Sequence, residues 1–204
     1  IDIVINELDA LSNINFSTRK VSLKKKSLNI YRLGTSGGVQ KYDDKIVVSQ
    51  YSIGLDGLAY YYESDDFLNT KISEKFKSHM NWPDALSLPY CVSCDGNLLK
   101  MFSSFKAGIT ITATGFYAPQ GRNLRLKSSI EDLHKKLEEF KFNDLRILNF
   151  EMESSAIYFL SKMLGHKSIT ICSILSNRNI KTFKKEPKKI INKMIESSLS
   201  IISK

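Results

Sequence analysis

Four short stretches of the sequence carry side chains that could do chemistry together. Residues 32–38 read Arg-Leu-Gly-Thr-Ser-Gly-Gly. Glycines let backbone N–H groups approach an anion, Thr35 and Ser36 add hydroxyl donors, and Arg32 offers a planar fork of donors for phosphate. The spacing fits neither a Walker loop nor a dinucleotide fingerprint, and a tight turn beside a surface arginine also accounts for it. Residues 149–154 read Asn-Phe-Glu-Met-Glu-Ser. Carboxylates at Glu151 and Glu153 suit the neighbouring hydroxyls of a sugar, at about 1.5–3 kcal/mol per charged hydrogen bond. A helix dipole also favours acids there, and Met152 fits a core. Residues 116–122 read Phe-Tyr-Ala-Pro-Gln-Gly-Arg. An amide at Gln120 supplies an acceptor and donors, and Arg122 supplies donors only. The pair matches a flat edge of carbonyl, N–H and carbonyl, although a polar loop needs no such role. Ser176-Asn177-Arg178 is the fourth stretch.

Periodicity indicates which elements must hold them. Ile1, Val4, Ile5, Leu8 and Leu11 mark one apolar helical face with no cap before it, as if the start cut through a domain. Residues 14–23 alternate polar and apolar like a hairpin. Strands are expected over 28–33, 45–52, 90–94, 106–113, 145–150 and 168–175, and helices over 67–80, 98–104, 128–140, 151–164 and 186–202. Alternation of strand and helix in the second half implies an α/β fold, with a mixed, largely parallel central sheet flanked by helices. The four clusters fall where strands end. In an open sheet, ligands bind outside those carboxyl ends, so the clusters should meet around one site.

Composition narrows the field. At 204 residues the chain suits one domain, residues 1–204, and 42% apolar content gives it a sizeable core. The longest apolar run, residues 169–175, is a strand and far short of a membrane span. Cys91 and Cys94 form a lone C-x-x-C and Cys172 lies in a strand; His79, His134 and His166 have no ligand spacing, so no metal site is expected. Reduced thiols and the lack of a basic-then-apolar leader point to the cytoplasm. A net charge of +9 gathers at Lys24-Lys25-Lys26 and over residues 181–189. With no interleaved aromatics to stack bases, these runs read as solvated faces rather than a nucleic-acid surface, and the positive field would help attract an anionic substrate.

Taken together, the motifs resemble the superfamily of uridine phosphorylases and hexameric purine nucleoside phosphorylases. Arg-x-Gly-Thr-x-Gly and Glu-Met-Glu are shared across it. Phe-Tyr followed by Gln-x-Arg, and Asn-Arg after a strand, resemble the uridine branch, where purine enzymes carry an aspartate in place of Asn177. The resemblance covers nearly the whole chain and implies phosphorolysis of uridine to uracil and ribose 1-phosphate, with inorganic phosphate as co-substrate and no cofactor. It implies phosphate binding by Arg32, Gly34 and Thr35, and ribose binding by Ser36, Met152 and Glu153. Phe116, Gln120, Arg122 and Arg178 would hold the base, and Glu151 would line the pocket. Arg32, Glu153, Arg122 and Arg178 would carry the catalysis. It implies a homo-oligomer, dimers joined into a hexamer, and first strands and phosphate ligands preceding Ile1. Asn13 to Lys26 is a longer basic excursion than compact relatives have, and Ser36 replaces a common threonine. A purine nucleoside phosphorylase or hydrolytic nucleosidase of the same superfamily remains an alternative. So does a non-catalytic nucleoside- or nucleic-acid-binding remnant.

Overall fold

The computed structural model describes residues 1–41, 45–63, 65–177 and 182–203. In chain order, α1 (Asp2–Asn13) leads into a hairpin of β1 (Ile14–Asn15) and β2 (Lys20–Val21), then β3 (Asn29–Gly38) and β4 (Ile46–Gly54). Next come α2 (Thr70–Met80), β5 (Tyr90–Ser93), α3 (Gly96–Met101), β6 (Lys106–Thr112) and α4 (Leu133–Glu139). The last third holds β7 (Lys141–Phe142), β8 (Leu145–Glu151), α5 (Ser154–Met163), β9 (Lys167–Asn177), β10 (Thr182–Phe183) and α6 (Pro187–Ile202). The expected α/β class and mixed sheet are present, with the ladders β3–β9, β4–β6 and β6–β8 parallel.

The sheet is not open, however. Its order β10-β9-β3-β8-β6-β4-β5 carries a further antiparallel pairing of β9 with β4, which closes β9, β3, β8, β6 and β4 into a ring. Val47, Leu148, Cys172 and Ile174 form a small apolar cluster contributed by three of the ring strands. Ring closure follows from the long β9, which pairs with β3 along its length while its middle also reaches β4. A register shift between Ser36 and Gly37 then lets the end of β3 cross to β8, where Gly37 faces Phe150 and Gly38 faces Asn149.

Two larger clusters cover the sheet from outside. One joins Ile72, Phe76 and Met80 of α2 and Leu133 and Leu137 of α4 to Ile53, Ile109 and Ile111. The other joins Tyr158, Phe159 and Leu160 of α5 and Met194 of α6 to Val48, Ile169 and Ile171. Burial of these side chains, about 1.5–3 kcal/mol for each large one, is the main force holding the strand ends in place.

Two expectations change. Of the apolar face on α1, Ile5 alone is buried; Ile1, Val4, Leu8 and Leu11 are exposed, because only one line of the helix reaches the core beside α5. The helix expected over 128–140 starts at Leu133. Before it, Ser128 donates from its backbone to Asn123 Oδ1 (2.8 Å) and from its hydroxyl to Ala118 O (3.2 Å). That segment braces the loop after β6 instead of coiling. Cys91, Cys94 and Cys172 are free and buried; burial pushes the Cys94 thiol up to about 12 and Cys91 further, so both stay protonated at neutral pH.

Candidate functional site

Glu151 ends β8 in register with Thr112, the last residue of β6. Thr112 Oγ1 donates to Glu151 Oε1 (2.5 Å), and the other carboxylate oxygen accepts from the backbone N–H groups of Glu153 (3.0 Å) and Ser154 (2.9 Å). Glu151 therefore satisfies donors at the start of α5, where a negative charge is favoured. Only 4% of it is exposed. Burial raises its pKa, opposed by Arg32, Thr112 and the N–H groups.

Arg32, midway along β3, enters the same space. Its Nη2 pairs with Glu153 Oε2, while Nη1 lies 3.4 Å from Glu151 Oε2 and donates to Cys172 Sγ (3.2 Å). Burial, the largest influence, lowers the pKa of the guanidinium, but Cys172, Glu151 and Glu153 together raise it above its ordinary value. Glu153 differs from Glu151: 36% of its side chain faces solvent.

The glycine-rich segment is strand, not a turn. Parallel pairing with β9 continues through Gly38, while pairing with β8 on the other edge is confined to Gly37 and Gly38. At Gly34 an added Cβ would lie 2.7 Å from Arg32 Nη1. Its absence makes room for the guanidinium to fold back over β3. Gly34→Ala is therefore expected to push the Arg32 guanidinium off Glu151 and Glu153 and to destabilise the fold, by up to the ~3–5 kcal/mol that a buried carboxylate losing its partner costs. Urea unfolding curves check this; a stability within about 0.5 kcal/mol of wild type would contradict it.

Residues 116–122 form the third wall. A 3-10 turn over Ala118–Gln120 ends at Gly121 (φ +67°), and Arg122 N closes it onto Tyr117 O (2.8 Å). A left-handed φ favours glycine, and a Cβ at 121 would also lie 2.9 Å from His134 Nε2. Burial, and then Arg122, lower the His134 pKa, so it backs the loop as a neutral ring. Arg122 Nη1 donates to Gln120 Oε1 and to Phe116 O, each at 2.5 Å, with its guanidinium 3.6 Å from the Phe116 ring centroid. Gln120 is buried and Phe116 half exposed. Gln120 and Arg122 thus act as one hydrogen-bonded unit.

These walls meet. Arg32, Thr35, Ser36, Phe116, Gln120, Arg122, Glu151, Met152 and Glu153 all line one cavity of about 370 Å³. Gly34 is not among its lining residues, and Arg178 lies outside the described residues. Asn177 does not line it either: its side chain donates to Gln40 O (2.5 Å), tying the end of β9 to the segment two residues past β3. Gly37, Phe150, Leu175, Ser176 and Phe183 line it unforeseen. Ser176 was readable from its place beside Asn177-Arg178; Phe183 was not, because β10 brings it back against β9. Two arginines face two carboxylates here, and the volume is in the range of small-molecule sites.

A family model described as the phosphorylase superfamily matches residues 13–204. Uridine phosphorylase of Haemophilus influenzae is 21% identical over 181 residues, covering 84% of this chain, which spans 65% of the length of that relative. Among solved structures, a Trypanosoma brucei nucleoside phosphorylase that shows uridine phosphorylase activity superposes with a TM-score of 0.79 at 23% identity, covering 95% of this chain and 72% of the other. Isoform 2 of uridine phosphorylase from Schistosoma mansoni, in complex with citrate, gives 0.61 at 20% identity, covering 98% and 67%.

Proposed function

The chain belongs to the phosphorylase superfamily, matched over residues 13–204, and on that premise we propose that it binds uridine and inorganic phosphate in the strand-tip cavity and exchanges them for uracil and ribose 1-phosphate. The convergence of an arginine, a solvent-facing carboxylate and a joined Gln–Arg pair on one cavity supports this most strongly. The names of the relatives, which include uridine phosphorylases, agree with it.

On this reading a phosphate oxygen forms a bond to C1′ as the C1′–N1 bond breaks, and the bonding pair leaves with the base. Arg122 and Gln120 donate to the carbonyl oxygens where that charge collects, and Glu153 accepts from the ribose hydroxyls. Positioning and electrostatic stabilisation carry the rate. The reaction calls on phosphate as co-substrate and on no metal or organic cofactor. The Arg32–Glu153 pair gives the two substrates a common switch. Phosphate drawing Arg32 away releases Glu153 for ribose, so each substrate should tighten the other. The same proposal carries a homo-oligomer of dimers joined into a hexamer, a cytoplasmic enzyme, and Arg178 beside Arg122.

The test is uracil release from uridine with phosphate, compared with base release from inosine. Uridine should be the far better substrate, and release should stop without phosphate. Arg122→Ala is expected to lower kcat/KM for uridine about 10–100-fold, the loss of one charged hydrogen bond, and inosine by much less. Equal losses for the two nucleosides would remove Arg122 as a base reader, and release from inosine alone would overturn the uridine assignment.

A further inference from the structure

The lysine-rich stretch that follows β10 has no part in the nucleoside reading, yet it folds over a second cavity. This space, about 570 Å³, shares no lining residue with the strand-tip cavity. Lys45 reaches it from the start of β4, Lys184 and Lys185 from the segment after β10, and Lys189 and Lys193 from α6. Glu186, which caps α6, and Lys189, Ile190 and Lys193 on it recur at the three- and four-residue spacing of a single helical face. Ile46, Phe105 and Ile190 supply apolar wall, each partly buried. Among the described lining residues, Lys45, Lys185, Lys189 and Lys193, with Lys184 beside them, stand against one carboxylate, Glu186, whose pair with Lys189 is long (3.5 Å) and exposed on both sides, and so contributes little.

The occupant must therefore carry several negative charges and one flat or apolar part. A sugar phosphate lacks the apolar part. A fatty anion brings a single charge to a wall of several cations. A membrane surface or an RNA needs a face that is flat or long, with stacking aromatics at intervals; this wall is concave and offers one ring, Phe105. The volume fits one small molecule. We propose that this cavity is a binding site for a nucleoside triphosphate, its base against Ile46, Phe105 and Ile190 and its phosphates among the lysines.

The inference stands on this cavity alone, so failure of uridine turnover would leave it intact, and the reverse. ATP is the suitable probe, because its base is not the one the Gln120–Arg122 pair is proposed to read. Calorimetric titration of the full chain at low salt should show ATP binding clearly tighter than about 1 mM. Lys189→Ala with Lys193→Ala, both exposed, should weaken it at least tenfold, or about 1.4 kcal/mol. Glu186→Gln should tighten it, a gain that no folding defect can imitate, while Arg122→Ala leaves it unchanged. Inorganic tripolyphosphate should bind more weakly than ATP. No binding below about 1 mM would overturn the proposal. So would loss on Arg122→Ala without loss on the lysine pair, equal binding of tripolyphosphate, or a marked preference for an RNA oligonucleotide over ATP.

Discussion

Arg32→Met should cost the fold about 3–5 kcal/mol at pH 8, because it strips the cation from a carboxylate that cannot reach water. Glu151 is 4% exposed and held by Thr112 and two backbone N–H groups, so it cannot swing out when its partner goes. It can only take up a proton. Its pKa is already raised by burial, with Arg32 the first influence holding it down. An acid with a higher pKa in the folded state binds its proton more tightly there. Folding is then most favoured below the ordinary carboxylate pKa and loses that advantage as pH rises through the folded value. Removing Arg32 lifts the folded value further and widens this window upward.

The cost in the variant should thus be larger at pH 8 than at pH 5, as measured by urea unfolding at both. Arg32→Met combined with Glu151→Gln should recover most of the loss, since an uncharged amide leaves no orphaned buried charge. An equal loss at both pH values, with no recovery in the double variant, would show that the Arg32–Glu151 contact does not set the stability of this wall.

What could be read from the sequence depended on how local each signal was. Ile109 and Ile111 with threonines between them identify β6, and the motifs that follow β6 and end β8 were enough to anticipate a common site, because a strand end is a local feature; the first motif lies within β3 instead. Pairing partners are not local. Closure of the ring by β9 against β4 joins residues more than a hundred positions apart, such as Val48 and Ile171, and neither strand announces its second neighbour. Gly34-Thr35-Ser36-Gly37-Gly38 looks like a turn by composition, and tertiary pairing overrode that preference. A Cβ on its first glycine would meet the Arg32 guanidinium overhead.

The side-chain roles divide the same way. The residue types at Glu151 and Glu153 gave no means of telling them apart. One is sealed in as the support of α5 and counterion of Arg32, and the other faces the cavity mouth. Asn177, which stands where purine enzymes carry an aspartate by the resemblance, ties strand to loop. Such assignments depend on direction and burial, which a linear motif does not carry.

Glu153→Ala should be the clearest functional loss, with kcat/KM for uridine down about 10²–10⁴-fold, as expected for one carboxylate accepting two charged hydrogen bonds of about 1.5–3 kcal/mol each. The fold should survive. Glu153 is the more exposed of the two acids, and its removal leaves Arg32 the Glu151 carboxylate and Cys172 as partners. Glu153→Gln separates the two parts of the role: it keeps the shape but gives up the charge, so it should fall between wild type and alanine. Because the Arg32 pair is gone in both variants, the phosphate Kd measured without nucleoside should improve or hold while turnover collapses. That opposition distinguishes a ribose-gripping group from a structural one, which would damage both together. Turnover within about tenfold of wild type, a difference of only ~1.4 kcal/mol, would remove Glu153 from the reaction.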